Sequence, residues 1–296
     1  MRSARSLDTS AFDSSAYFQA MNVRLTEVEE CALSERRTEM KVVILCGGQG
    51  TRLREETEYR PKPLVEVGGR PILWHIMKSY AHYGFNDFVL CLGYRGNMIK
   101  EYFLNYEAMN NDFTICLGQK SHLDFNGVHK EQDFRVTLTD TGQETMTGGR
   151  IKRIERYVGE TFLVTYGDGL ADVNIAELLA FHKSHGKIAT VTTVRPQSRF
   201  GILETASDGK VMEFNEKPQV DGWANAGFLV FERKLFDYIE GDDCILERKP
   251  LQRLAAEGQL MAYRHKGFFF AMDTYREYLY LNDLWKSGKA SWKVWR

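Results

Sequence analysis

No stretch of this 296-residue sequence stays apolar for the roughly 18 residues that a membrane-spanning helix needs. Charge of one sign is not in excess either. Thirty-nine lysines and arginines meet 40 aspartates and glutamates, a net of -1. That balance excludes a broad surface for nucleic acid or anionic membrane and leaves room only for local basic patches. The five cysteines, Cys31, Cys46, Cys91, Cys116 and Cys244, are odd in number and contain no CxxC spacing. Disulfides and structural zinc are therefore not expected, and the thiols read as free, buried groups in a reducing, cytoplasmic compartment. Internal repeats and low-complexity linkers are also missing. What remains is a chain that is 43% hydrophobic, enough for a sizeable core in one large domain or two small ones.

Residues 1–39 stand apart. They are rich in Ser, Arg and Glu and lack the apolar centre of a secretory signal. Met40 directly precedes the first strong strand. The segment reads as an extension to a domain over 40–296: disordered, left by an early start codon, or an arm packing on a neighbouring subunit. Helical spacing of Val23, Leu25, Val28, Cys31 and Leu33 supports the last of these.

Short apolar runs mark the strands. "KVVILCGG" (41–48), "DFVLCLG" (87–93) and "TFLVTYGDG" (161–169) each end in glycine, and "KIATVTTV" (187–194) is β-branched. Runs of this kind suit strands buried on both faces of a parallel sheet. Helical patterns over 71–83, 96–108 and 174–185 lie between them. The alternation implies an α/β fold: a mostly parallel central sheet with helices on both faces. The second half is richer in β signals. Residues 200–218 read as a hairpin turning at Ser-Asp-Gly, 225–232 as a further strand, and 274–287 as a last helix before a Trp-rich tail.

The loop after the first strand, Gly47-Gly48-Gln49-Gly50-Thr51-Arg52, sits where open α/β sheets bind ligands. Peptide N–H groups with no side chains in the way suit phosphate oxygens. Arg52 adds a planar cationic fork and Lys62 a point charge. Two rival loops are excluded. The Walker pattern is absent, and Leu53 stands where a dinucleotide fingerprint needs its third glycine. Pro61 and Pro63 flank Lys62, so an extended, rigid segment is expected there, not a helix.

"GGQGTRL", "PKPLVEVGGRPIL", "YGDG", "FNEKP", "NAGFLVF" and "GFFFAMDT" together resemble the signature of the sugar-1-phosphate nucleotidyltransferases, over roughly residues 40–290. That resemblance implies a Rossmann-like nucleotidyltransferase fold with a small β-rich sugar-binding part, a requirement for Mg²⁺, and a homo-oligomer. Within the family, "LTDTGQETMTGGR" and "YLYLNDLWKSGKASWKVW" resemble the glucose-1-phosphate cytidylyltransferases. These condense CTP with α-D-glucose 1-phosphate to CDP-glucose and pyrophosphate, in nucleotide-sugar and polysaccharide biosynthesis.

Carried over residue by residue, the resemblance gives Arg52, Lys62 and Asp168 catalytic roles. It places the nucleotide against Leu45, Cys46, Gly47, Gly48, Gln49, Gly50, Thr51, Arg52, Lys62, Thr141, Gln143, Gly148, Gly149 and Gly167. It places the sugar phosphate against Glu216, Lys217, Asn225 and Gly227, and the metal on Asp168 and Asp273. Without it, Asp168 would be a turn residue and Asp273 a helix N-cap. The stretch 141–149 departs from the Gln-Pro-x-Gly type base loop of thymidylyl- and uridylyl-transferring relatives. Cytosine presents an amino donor where those bases present a carbonyl, so a different loop is expected. Trp285, Trp292 and Trp295 read as packing or subunit contacts.

Overall fold

The structure is a computed structural model, and the residues described are 40–296 apart from 117–122, 127, 128, 130, 132, 199, 217 and 220. Seven strands build one sheet: β1 (Val42–Cys46), β2 (Asp87–Leu92), β3 (Arg135–Asp140), β4 (Thr161–Tyr166), β5 (Ala189–Val194), β6 (Ala224–Glu232) and β7 (Leu260–Arg264). Their order is β7-β5-β6-β4-β1-β2-β3. β6 runs antiparallel to both neighbours, and every other pairing is parallel. The sheet is mostly parallel, as the apolar runs predict.

Burial on both faces explains those runs. Val42, Ile44 and Cys46 point into one core while Val43 and Leu45 point into the other. The longer helices are α1 (Ile72–His82), α2 (Gly96–Leu104), α3 (Thr147–Arg153), α4 (Ile175–His185), α5 (Lys249–Ala256) and α6 (Tyr275–Lys286). α1, α2, α4 and α6 cover the first face, and α3 and α5 the second. Local signals fix their ends. The Asn174 side chain accepts the amides of Ala176 and Glu177 at 3.1 and 3.2 Å, and α4 stops at Gly186 in the left-handed region, φ 60°.

Two hairpins differ from this frame. Asp112–Ile115 pairs with Leu123–Asn126, and Ile202–Thr205 with Val211–Asn215, every residue exposed. The second is the hairpin expected within 200–218. Burial of the thiols is only half as expected. Cys46 and Cys91 are buried, whereas Cys116, which follows an exposed strand, is exposed and Cys244 is half-buried. Cys31 lies outside the described residues.

The tryptophan tail is core. Trp292 is fully buried and packs with Trp285 and Trp295 around His75 of α1. The His75 Nε2 lies 2.8 Å from the Val67 carbonyl and must donate to it. Its Nδ1 then accepts from the Trp292 indole at 3.3 Å. Burial pushes the His75 pKa down to about 4, so the ring is neutral. No described helix is long and apolar enough to cross a membrane.

Candidate active site

A cleft of about 430 Å³ opens at the carboxyl ends of β1 and β4. Leu45 to Arg52, Lys62, Pro63, Gln143 to Thr147, Arg150 and Tyr166 to Asp168 line it. The structure thus brings together most of the residues expected on the nucleotide side, Leu45, Cys46, Gly47, Gly48, Gln49, Gly50, Thr51, Arg52, Lys62, Gln143 and Gly167, with Asp168, expected as a catalytic and metal residue. Gly50 needs its lack of a side chain. Its φ is 63°, and a Cβ there would lie 2.8 Å from the Thr57 methyl. The Leu53 amide closes the turn on the Gly50 carbonyl at 2.9 Å.

Lys62 is buried, with 8% of its surface exposed. It does not sit on an extended segment. Pro61 precedes, and Pro63 falls within, one turn of 3₁₀ helix at Lys62–Leu64. Proline is tolerated in a first helical turn because the amide it lacks would be unpaired there anyway. The Lys62 ammonium reaches Asp168 Oδ2 at 2.6 Å and Asp273 Oδ1 at 2.8 Å. Burial alone would lower its pKa, but the two carboxylates outweigh that and raise it, so Lys62 is an ammonium. Arg52 touches the same Asp273 oxygen at 3.0 Å.

A short ribbon delivers those two carboxylates to one place. Gly169–Ala171, after β4, pairs antiparallel with Phe269–Ala271, before α6. The register sets Gly169 opposite Ala271, and the Met272 amide donates to the Asp168 carbonyl at 2.9 Å. Asp273 is not the N-cap of α6. Thr274 takes that position in a capping box with Glu277, whose carboxylate accepts the amides of Asp273 and Thr274 at 2.7 and 2.8 Å. The Asp273 carboxylate is thereby left for the cleft.

Sequence reasoning missed Arg150 of α3. Its guanidinium is buried and donates to five oxygens from three places in the chain. These are the carbonyls of Gly47 (3.1 Å), Leu92 (3.0 Å), Gly142 (2.7 Å) and Gln143 (3.1 Å) and the Thr141 hydroxyl (2.9 Å). It stitches the glycine loop to the 141–143 loop. It also explains two glycines, because a Cβ on Gly47 or Gly93 would lie 2.2 or 2.5 Å from the guanidinium. Tyr166, also unforeseen, lines the cleft and donates its hydroxyl to Glu247. Its place two residues before Asp168 was the available signal. Arg150 had none, since its acceptors converge only on folding.

Other expected residues fall elsewhere. Thr141 is fully buried, and its hydroxyl donates to the Leu92 carbonyl at 2.7 Å. Gly148 and Gly149 pack on residues 242–244: both amides donate to the Cys244 carbonyl, at 2.8 and 3.2 Å. A Cβ on Gly148 would meet the Cys244 carbonyl, and one on Gly149 the Asp242 backbone. Their glycine character therefore follows from helix packing, not from a close approach to a base. Gly227, with φ 87°, faces the Tyr166 ring, and its amide donates to the Asn225 side chain at 2.8 Å. Glu216 is exposed at the foot of the second hairpin. Lys217 lies outside the described residues.

Known proteins resemble this chain over most of its length. Residues 41–273 match the family described as Nucleotidyl transferase. Glucose-1-phosphate cytidylyltransferase of Salmonella typhimurium is 50% identical over 260 residues, covering 86% of this chain and all of that protein. Mannose-1-phosphate guanylyltransferase catalytic subunit beta of Dictyostelium discoideum is 31% identical over 257 residues, covering 83% of this chain and 66% of that protein. The solved structure of HddC from Yersinia pseudotuberculosis superposes with a TM-score of 0.62 at 22% identity, covering 83% of this chain and 99% of that one. A glycine loop, a lysine and two aspartates meeting at the carboxyl edge of such a sheet, in a chain that matches the family from its first strand to Asp273, admit one assignment: the chain belongs to the nucleotidyl transferase family.

Proposed function

We propose that this protein transfers the cytidylyl group of CTP to α-D-glucose 1-phosphate, giving CDP-glucose and pyrophosphate. The observation that carries the choice of substrates is the 50% identity to a glucose-1-phosphate cytidylyltransferase along that enzyme's whole length, against 31% to a guanylyl-transferring relative.

The chemistry asks little of a general base. The sugar phosphate is already an anion at neutral pH. One of its oxygens attacks the α-phosphorus of CTP in line, a new P–O bond forms, and the bond to the β-phosphate bridging oxygen breaks with release of pyrophosphate. Positioning and charge neutralisation then supply the catalysis. In this reading the amides of Gly47 to Gly50 and the Arg52 fork hold the triphosphate. Lys62 screens the two approaching phosphates. Glu216, Lys217, Asn225 and Gly227 hold the sugar phosphate. Arg150 sets the distance between the glycine loop and the 141–143 loop that faces the base.

A divalent cation fits the residues present. Asp168 and Asp273 converge on a single ammonium nitrogen, so their oxygens already define the seat of one cation. No third His, Cys, Asp or Glu joins them among the described residues. Two carboxylates, with other positions left to phosphate oxygens and water, suit Mg²⁺. Bound there, it would stabilise charge on the α-phosphate and on the leaving pyrophosphate. The apolar side chains exposed on the two hairpins, Phe113, Phe125 and Phe214 among them, support a homo-oligomer. Residues 1–39 are in this reading an extension outside the catalytic domain.

Pyrophosphate release with glucose 1-phosphate and each of CTP, UTP, dTTP and GTP tests the assignment. A site built round the cytosine amino group leaves an acceptor facing an acceptor when UTP or dTTP enters, a mismatch of roughly 1–3 kcal/mol. CTP is therefore expected to be preferred by at least about tenfold in kcat/KM. Equal efficiencies would remove the base from the assignment.

A further inference from the structure

We infer that Lys62 is a resident counter-ion, seated where the divalent cation of the proposed reaction binds, and that it leaves only when a triphosphate is there to receive it. The inference rests on the nucleotidyl-transfer reading above.

Four charged groups meet at the seat. Lys62 Nζ lies 2.6 Å from Asp168 and 2.8 Å from Asp273, and Arg52 lies 3.0 Å from the same Asp273 oxygen. Two cations and two carboxylates cancel, so the resting site is neutral and closed on itself. Lys62 is 8% exposed, so water screens its own two contacts poorly, whereas Arg52 stands at the solvent side of the cluster. A metal ion arriving alone would set two more positive charges beside two cations already in place.

The fold shows where Lys62 can turn. Its Cβ lies about 3.4 Å from the point where a Gly50 side chain would begin, so the lysine stem runs beside the glycine loop. Arg52 belongs to that loop, and its side chain is 67% exposed at the cleft rim. A triphosphate cradled by the loop amides offers both cations a denser anion than a shared carboxylate. Lys62 then exchanges Asp168 and Asp273 for phosphate oxygens and frees the carboxylates for the metal. The same lysine therefore holds down the affinity for bare metal and couples metal binding to nucleotide.

The experiment is Mn²⁺ binding to the full-length protein, followed by electron paramagnetic resonance without and with a non-hydrolysable CTP analogue. Removal of a cation in direct contact with both carboxylates should tighten bare Mn²⁺ binding by about tenfold or more in Lys62→Met, whereas Lys62→Arg should stay near wild type. The analogue should tighten Mn²⁺ binding in the wild type and add less in Lys62→Met. Circular dichroism checks folding, and Lys62→Gln serves if the methionine variant does not fold. If neither neutral variant binds bare Mn²⁺ more tightly than wild type, the counter-ion role is overturned. If they do, but the CTP analogue leaves the wild type unchanged, the seat stands and the triphosphate reading fails.

Discussion

Arg150 and Lys62 are both buried cations at the same end of the sheet, and they are held in opposite ways. Arg150 faces only carbonyls and a hydroxyl, all fixed to backbone or to a buried threonine. Lys62 faces two carboxylates on side chains. Neutral dipoles built into loops cannot follow a cation that moves, so Arg150 is architecture. Carboxylates can trade one cation for another, so Lys62 is the cation free to be exchanged, as the proposed function requires. His75 handles the same problem a third way: buried against Val67 and Trp292, it gives up its proton.

The comparison breaks most visibly at Arg150. Arg150→Met keeps the bulk but takes a donor from five acceptors, and while Leu92 and Gly47 keep other donors, the Gly142 and Gln143 carbonyls lose theirs, at about 1–3 kcal/mol for each buried unpaired group before relaxation. A loss of at least about 2 kcal/mol in urea unfolding, with collapse of turnover, is expected. Lysine should not rescue it, because a point charge cannot reach acceptors on both sides of the fork. If Arg150→Met unfolds at the wild-type midpoint, the stitch is not structural.

At the working cation the expected damage is to rate. Asp168→Asn keeps the shape and a hydrogen bond to Lys62 but removes a charge, and turnover should fall by about 10²-fold or more with folding intact. Near-normal turnover in saturating Mg²⁺ would contradict the assignment.

His75 sharpens the contrast through pH. Its folded pKa of about 4 lies below the ordinary 6.5, so between those values the unfolded chain binds the extra proton. Stability from this group is complete above about pH 6.5 and is lost as pH falls toward 4, by about 2 kcal/mol at pH 5. Denaturant unfolding at pH 7.5 and 5 for wild type and His75→Gln measures it. A pH dependence that survives the substitution unchanged belongs to other groups.

The smallest effect is expected on the outlying hairpin. Phe214 is 59% exposed, and Phe214→Ser should change the stability of the isolated subunit by no more than about 0.5 kcal/mol. Analytical ultracentrifugation of the same variant reports whether that face meets another copy.

These cases also mark what the sequence discloses. β1, β2, β4 and α4 were legible because burial on two faces, or a cap and a C-terminal glycine, writes itself into consecutive residues. The glycine loop, Lys62 and Asp168 were legible as a linear pattern. β3, α3, α5 and β7 were not. α3 opens on Thr-Gly-Gly, which has poor helix propensity, and folds because residues 242–244 take its first amides. The turn at Lys62–Leu64 is not legible because flanking prolines argue against a helix interior yet can begin a helical turn. Arg150 escaped because its acceptors lie at 47, 92 and 141–143 and share no local signature.

The ribbon joining Gly169–Ala171 to Phe269–Ala271 has a consequence for how the chain is made. Lys62 meets one carboxylate 106 residues further along and the other 211 residues further along. During synthesis the glycine loop emerges long before the second aspartate, and the tryptophans that close over His75 come last of all. A chain broken off before Asp273 would carry the nucleotide loop without the second half of its cation seat. The ribbon thus serves as a completion mark: only a chain translated past Asp273 holds both carboxylates that meet Lys62.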